Sequence, residues 1–306
     1  MKPLAVIIPA YKATFFDKAL QSLSNQTDKN FTVYIGDDCS TEDLEDIAKQ
    51  YKSKLDIHYT RFKNNIGAKY LVHQWNRCIQ LTKGEPWFWL FSDDDIADAN
   101  CVETFYRTIA EDNNKFDVYR FDTRIIDEHD DVLGDSPESP FVDSSYNMAV
   151  EILMGKRGNS MPDHIFSRYI IEKNEGFVYT DYAQAADWAT SILFSSEKGI
   201  CTMKEAKLNW RVSNQNISGT ARRNRRNLLK GHLQFLNWVL NHFSNLGNGH
   251  GYKQVRDASV WNLSHVVNTH YKGLSIYNFT DVYIFYKKIL NPLKAFRKTL
   301  RLYLHR

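Results

Sequence analysis

Three consecutive carboxylates, Asp93, Asp94 and Asp95, stand directly after the apolar run Trp87 to Phe91 and Ser92. Adjacent carboxylates repel one another, so a triplet at the end of a buried strand calls for a compensating charge. A hard divalent cation supplies it, because Mg²⁺ and Mn²⁺ take oxygen ligands and often bridge one or two carboxylates to phosphates. The competing reading is a solvated acidic turn, and the preceding apolar strand favours the metal. A second acidic pair, Asp37-Asp38, follows Thr32 to Ile35. It suits hydrogen bonds from a base or ribose, with Ser40 or Thr41 capping the next helix. Asp187 lies beside Trp188. Partial desolvation there would raise its pKa toward that of a general base, although by itself it reads as an exposed helix acid. His164, in Pro162-Asp163-His164, reads as a turn residue.

Elements must carry these groups to one place. Leu4 to Pro9, Thr32 to Ile35, Ile57 to Thr60, Trp87 to Phe91 and Val118 to Phe121 read as strands. Between them, helical spacing appears over Phe16 to Leu23, Thr41 to Tyr51 and Leu71 to Ile79, and over Val102 to Ile109 with Asp98 as its cap. Alternating strands and helices imply an α/β fold with a doubly wound, mostly parallel sheet, whose ligands bind beyond the carboxyl ends of the strands. The loops at Pro9 to Tyr11, Gly36 to Ser40 and Ser92 to Asp95 all leave such ends. Residues 127–147, polar and holding Pro137 and Pro140, read as a loop or insertion. After Arg222 one helical stripe runs from Leu228 to Phe243, Gly247 to Gly251 breaks it, and further helices fill the remainder. Arg222 to Arg226 reads as a solvated basic face.

Composition narrows the classes. The 306 residues are 43% hydrophobic and 25% charged, which excludes wholesale disorder. No run of about 18 apolar residues is present, and Leu4 to Ile8 is too short for a signal-peptide core. Four scattered cysteines form no CxxC pair, which fits a reducing cytoplasm. A net charge of +3 gives no reason to expect nucleic acid.

The ordered set Val6-Ile7-Ile8-Pro9-Ala10-Tyr11, Leu20 to Thr27, Tyr34 to Thr41, Asn65-Ile66-Gly67 and Trp89 to Asp95 resembles family 2 glycosyltransferases of the GT-A fold. The resemblance covers about residues 3–215. It implies that Pro9, Tyr11 and Asp38 line the pocket for the nucleotide of a UDP-linked sugar donor. It also implies that the aspartate cluster holds Mn²⁺ or Mg²⁺ on the donor diphosphate, and that Asp187 is the base of an inverting transfer. Counting back from Ala99 places the main metal ligand at Asp94, with Asp95 or Asp93 assisting; Asp93 also belongs to the donor site. Arg211, in Asn209 to Ser213, resembles the segment near the diphosphate, which continues to Ile217-Ser218. Lys12, Cys39 and Ala186 depart from the family's usual Asn, Gly and acid.

The expected organisation is a GT-A-like domain over 1–220, with a nucleotide-binding half to about 125 and an acceptor half from 126, followed by a helical C-terminal region over 221–306. The expected acceptor is a saccharide or lipid-linked saccharide of bacterial surface polysaccharide. A glycoside hydrolase also uses paired carboxylates but leaves Pro9 to Tyr11 unexplained. A non-catalytic nucleotide-sugar or polysaccharide-binding module would accommodate the three departures. From Lys287 to Arg306 there are seven Lys or Arg residues and no acid. Leu293, Phe296, Leu300 and Leu304 recur at helical spacing there, with Pro292 starting the helix. Such a helix either packs on its own protein or docks on an anionic membrane, which would place a cytoplasmic enzyme on the inner face of the cell membrane.

Overall fold

The N-terminal apolar run forms a strand whose side chains feed two cores in alternation. The computed structural model describes residues 2–213, 225–247, 249–271 and 275–304. In β1 (Leu4–Ala10), Leu4, Val6 and Ile8 enter one core while Ala5 and Ile7 enter the other, all at 0% exposure. This is the period-two geometry of a strand covered on both sides. Each buried Leu, Val or Ile contributes about 1.5–3 kcal/mol relative to leaving it in water.

The ladder β3-β2-β1-β4 is parallel throughout, with β2 (Phe31–Asp37), β3 (Ile57–Arg61) and β4 (Trp87–Leu90). On one face lie α1 (Phe16–Ser24), α2 (Leu44–Gln50) and α4 (Cys101–Glu111). The other face carries α3 (Gly67–Ile79). Beyond β4 the sheet becomes mixed. There β9 (His164–Ser167) runs antiparallel to both β4 and β6 (Val118–Ile126), and β10 (Ile200–Arg211) runs parallel to β6. At the edge, β5 (Ile96–Ala97) pairs antiparallel with β10. Among the described residues the sheet has ten strands, with helices on both faces, as the alternation of elements implied.

Three local readings change. The polar segment 127–147 holds β7 (Val132–Asp135) and β8 (Val142–Asp143) and runs into α5 (Ser145–Leu153). The two strands are too short for a periodic signal, and Val132, Leu133 and Val142 are exposed. Asp43, rather than Ser40 or Thr41, caps α2 by accepting from Asp46 N at 3.3 Å. Asp98 caps nothing with its side chain. It accepts from Lys207 N at 3.0 Å and Asn209 Nδ2 at 2.9 Å, tying the β5 edge to β10.

After β9 come α6 (Arg168–Lys173), a 3-10 turn (Asp181–Ala183) and α7 (Ala186–Phe194). The C-terminal helices are α8 (Arg225–Asn245), α9 (Gly249–Thr269), α10 (Ile276–Ile289) and α11 (Pro292–Leu304). The expected stripe of α8, with Leu229, Leu236 and Val239, joins the same core as Ile7 and Phe88. The helical region therefore continues the sheet's own core. Arg222–Asn224 and Ile217-Ser218 lie outside the described residues. Among the described residues, no helix is long and apolar enough to cross a membrane.

The last helix packs inward by a face other than the recurring stripe. Ala295, Thr299 and Leu302 are buried, whereas Leu293 and Leu304 of the recurring stripe are 59% and 68% exposed. Phe296 lies between, edge-on to Phe279 and still partly exposed.

Candidate active site

The parallel ladder brings the carboxyl ends of β1, β2 and β4 to one edge, and a cavity of about 870 Å³ opens there. Pro9, Tyr11, Asp38, Asp93, Asp94, Asp95 and Asp187 all line it, although the chain spreads them over 179 positions. Tyr11 keeps a largely open ring, 41% exposed, at this wall.

Hydrogen bonds knit the acidic segment to its neighbours. Asp93 Oδ2 accepts from the backbone of Tyr11 (2.8 Å) and Lys12 (3.1 Å), so the loops after β1 and β4 are held as one unit. Asp95 Oδ1 accepts from Arg211 N at 2.8 Å, and Asp94 accepts from the Ser92 hydroxyl. Burial, followed by repulsion from Asp94, pushes Asp93 up to about 7. Burial raises Asp94 as well, and burial with the charge of Asp94 raises Asp95. Lys12 and Arg211 offset this only in part.

That remaining demand for positive charge fits a divalent cation carried on a diphosphate. Among the described residues, no three His, Cys, Asp or Glu side chains converge into a ready-made metal cage. The donor set fits an ion that takes most of its ligands from phosphate and water.

Asp38 lines the cavity but is only 3% exposed. Its oxygens accept from Ile66 N (2.9 Å) and Gly67 N (2.7 Å), and Oδ1 pairs with Arg77 at 2.5 Å. It therefore satisfies the N-terminus of α3, a helix that starts 29 residues further on. A Cβ at Gly67 would sit 2.5 Å from Asp38 Oδ2, so this close approach requires glycine. Each carboxylate oxygen has two acceptor sites, which leaves Asp38 capacity for a ligand hydroxyl. Asp37 is fully buried among Arg61, Tyr59 and the backbone of Ser40. Between this pair and Ser40, Cys39 adopts φ +56°, a left-handed conformation that costs a side-chain-bearing residue about 1–2 kcal/mol.

Arg211 occupies a different place from the one its motif suggested. Its side chain is fully buried and is not part of the cavity wall. Nε donates to Asp94 O (2.8 Å), Nη1 donates to Asp127 O and pairs with Asp130 (each 2.6 Å), and the guanidinium lies over Phe15. Its position behind the triad makes it a support for the acidic loop.

Asp187 sits in the first turn of α7. Burial, with a smaller push from Asp163, raises its carboxyl to about 7 against the pull of nearby backbone N–H groups. The approach to it is irregular: Tyr182, Ala183 and Ala185 all have positive φ. Helix α8 supports this turn, with Gly231 so near that a Cβ would collide with Asp181 O. Trp188 Nε1 donates to Asn159 O at 3.1 Å, and the ring packs edge-on against Phe235.

The cavity also takes walls that the sequence reading did not assign: Arg157, Asn159 and Ser160 before β9, His232 of α8, and His270 and Tyr271 directly after α9. No spacing pattern marks them. The run Gly158 to Asp163, rich in small and polar residues just before a strand, is the nearest thing to a signal.

Known proteins agree with this architecture. TuaG of Bacillus subtilis (strain 168), named for glycosyl transfer in teichuronic acid biosynthesis, is 34% identical over 97 residues, covering 30% of this chain and 37% of TuaG. The poly(ribitol-phosphate) β-N-acetylglucosaminyltransferase TarS of Staphylococcus aureus is 31% identical over 98 residues, covering 31% of this chain and 16% of TarS. The sequence matches thus span well under half of either relative. The crystal structure of TarS 1–349 with UDP-GlcNAc superposes on 97% of this chain and 84% of that one, with TM-score 0.72 and 15% identity. The mannosyltransferase PcManGT of Pyrobaculum calidifontis, solved with GDP-Man and Mn²⁺, covers 98% of this chain and 84% of its own, with TM-score 0.54 and 13% identity. These likenesses support a GT-A-like fold. Residues 5–173, more than half of the chain, match the sequence model of glycosyl transferase family 2, and the chain belongs to that family.

Proposed function

We propose that the protein is an inverting transferase that moves a sugar from a UDP-linked donor to an acceptor hydroxyl in bacterial surface polysaccharide synthesis. The observation that carries this reading is one cavity holding both the acidic triad and Asp187, whose carboxyl titrates near neutrality. Tyr11 offers its face to the base, and Pro9 and Asp38 bound the same end of the cavity. Asp187 takes the acceptor's proton as that oxygen bonds to the anomeric carbon. The bond from that carbon to the diphosphate breaks on the opposite side, so an α-linked donor gives a β-linked product. A divalent cation, Mn²⁺ or Mg²⁺, held by Asp94 with Asp95, would neutralise the departing diphosphate. The Mn²⁺ of PcManGT and the UDP-GlcNAc of TarS are consistent with such a donor site.

A thermal-shift panel of nucleotide sugars with and without Mn²⁺ tests this. UDP sugars should stabilise most, by about 2.7 kcal/mol at 100 times their Kd, and only with the metal. Slow release of UDP from the donor without acceptor should accompany binding. Preferential stabilisation by GDP sugars would overturn the donor class, and metal-independent stabilisation would overturn the role of the cation.

The exposed side of α11 extends the proposal to location. Leu293 and Leu304 project outward among Lys294, Arg297 and Arg301, an arrangement suited to the anionic inner face of a cell membrane. Each such cation contributes about 1 kcal/mol near an anionic surface. The full-length triple variant K294E/R297E/R301E should lose flotation with anionic vesicles at low salt, while the unmodified protein floats. Equal flotation of the two proteins would end this part of the proposal.

A further inference from the structure

Beside the cavity, three aromatic rings stand at the surface and lie outside both apolar cores. The cavity wall runs through Leu71 and Trp75 of α3 and through Tyr182 and Ala183 of the 3-10 turn. Tyr70 and His73 lie on the same stretch of α3, and Tyr179 stands just before the turn. His73 stacks on Tyr179 with ring centroids 5.0 Å apart, and Tyr70 leans on His73 at 5.8 Å and 58°. All three are open to solvent, Tyr70 at 38% and Tyr179 at 41%. Apolar side chains scattered singly over a surface need no explanation, whereas a contiguous group marks a place of contact.

The group is held in place. Tyr179 donates its hydroxyl proton to Asp181 Oδ1 at 3.1 Å. Gln234 of α8 fixes Asp181 in turn, accepting from its backbone N (2.7 Å) and donating to Oδ2 (3.0 Å). Lys69 Nζ lies 4.8 Å from the centroid of the Tyr70 ring. Rings held this way lose little conformational entropy on contact. One cation and one acid at the edge offset each other, so the surface selects neither a polyanion nor a polycation. What remains is apolar ring faces bordered by hydrogen-bonding groups. A pyranose matches this, with C–H bonds on a face and hydroxyls around the edge, and the negative face of an aromatic ring attracts such C–H bonds. A protein partner would need about 800 Å² per side, far more than two tyrosines at about two-fifths exposure offer.

Size decides which part of a substrate lies here. At about 870 Å³ the cavity has the volume of one small-molecule site, and transfer requires it to hold the donor together with the receiving sugar. Further units of a saccharide acceptor must pass over its wall. An exit past α3 and the 3-10 turn carries them onto these rings.

We propose that Tyr70, His73 and Tyr179 form a stacking surface for an uncharged oligosaccharide acceptor, taking the sugar units beyond the one that receives the transfer. The inference rests on the transferase reading, and it adds the acceptor's class and a dependence on its length.

The test uses the full chain loaded with UDP and Mn²⁺. Calorimetry compares its affinity for glucose, N-acetylglucosamine, maltohexaose and chitohexaose. At least one hexasaccharide should bind about tenfold or more tighter than its own monosaccharide. The double variant Tyr70→Ala/Tyr179→Ala should lose most of that gain, while its affinities for UDP and for the monosaccharide hold. Tyr70→Phe/Tyr179→Phe keeps the ring faces and should keep most of the gain, which separates stacking from a structural role of the hydroxyls. A melting curve without ligand shows whether the alanine variant folds, and if it does not, His73→Ala decides. The absence of any gain with length for either oligosaccharide, or an undiminished gain in a folded alanine variant, would overturn the proposal. Loss of flotation with anionic vesicles in that variant, with saccharide binding unchanged, would assign the rings to a membrane and overturn it as well. Failure of UDP to stabilise the unmodified protein would instead overturn the transferase reading beneath it.

Discussion

Asp187→Asn is expected to cut sugar transfer by about 10²–10⁴-fold, the usual worth of a positioned general base, while UDP affinity holds. The pH dependence should agree. With its carboxyl raised to about 7, Asp187 is protonated below neutrality and cannot take the acceptor's proton, so kcat/KM should climb through pH 7 and level off above it. Stability should move the other way. A carboxyl whose pKa is higher in the fold than in the unfolded chain favours folding at low pH, and that contribution fades as pH rises toward 7. The asparagine variant carries no charge to bury and should lack this loss. Chemical denaturation of both proteins at pH 5 and pH 8 measures the difference. A parallel fall in UDP affinity would move Asp187 into the donor site, and an undiminished transfer rate would place the base elsewhere.

Asp94→Asn should abolish the stabilisation by UDP that depends on Mn²⁺. An amide supplies no negative charge between cation and diphosphate, whereas Asp93 and Asp95 each already accept backbone hydrogen bonds. Burial raises the Asp94 carboxyl, so the variant should fold at least as well as the parent without ligand. Loss of nucleotide binding would therefore report on the site. Titration of UDP with and without Mn²⁺ reads it directly. Persistence of the metal-dependent effect in Asp94→Asn, with its disappearance in Asp95→Asn, would transfer the role to the neighbour.

Much of this was legible in the chain because local patterns and the topology of parallel sheets agree. An apolar run followed by a polar turn, repeated three times, was enough to bring Tyr11, Asp38 and the triad to one edge. Long-range partnership was less visible. Asp38 caps a helix whose first residue lies 29 positions away, and nothing in the spacing of Asp37-Asp38 distinguishes that from capping the next helix. Asp98 precedes α4 as a cap would, yet its oxygens serve β10, an element more than 100 residues later. Arg211 looked like a ligand for phosphate because of its motif, and the structure turns it toward the backbone of Asp94. The stripe on α11 had the correct period, but packing used the complementary face of Ala295, Thr299 and Leu302. Arg157 and Asn159 carried no periodic mark, because their loop is defined by the elements on either side of it.

Tyr11, the acidic triad and Asp187 line a single cavity, and this has a consequence for inhibitor chemistry. Two fragments that each bind weakly, a nucleoside diphosphate mimic and an acceptor-like alcohol, need not compete and need not arrive separately. Joined by a tether of suitable length, they lose their translational freedom once, and the second fragment meets its subsite at millimolar effective concentration. Avidity could then exceed that of either fragment by about 10²–10⁴-fold without any new contact. The span between Tyr11 and Asp187 is thus the dimension that a bisubstrate compound must match.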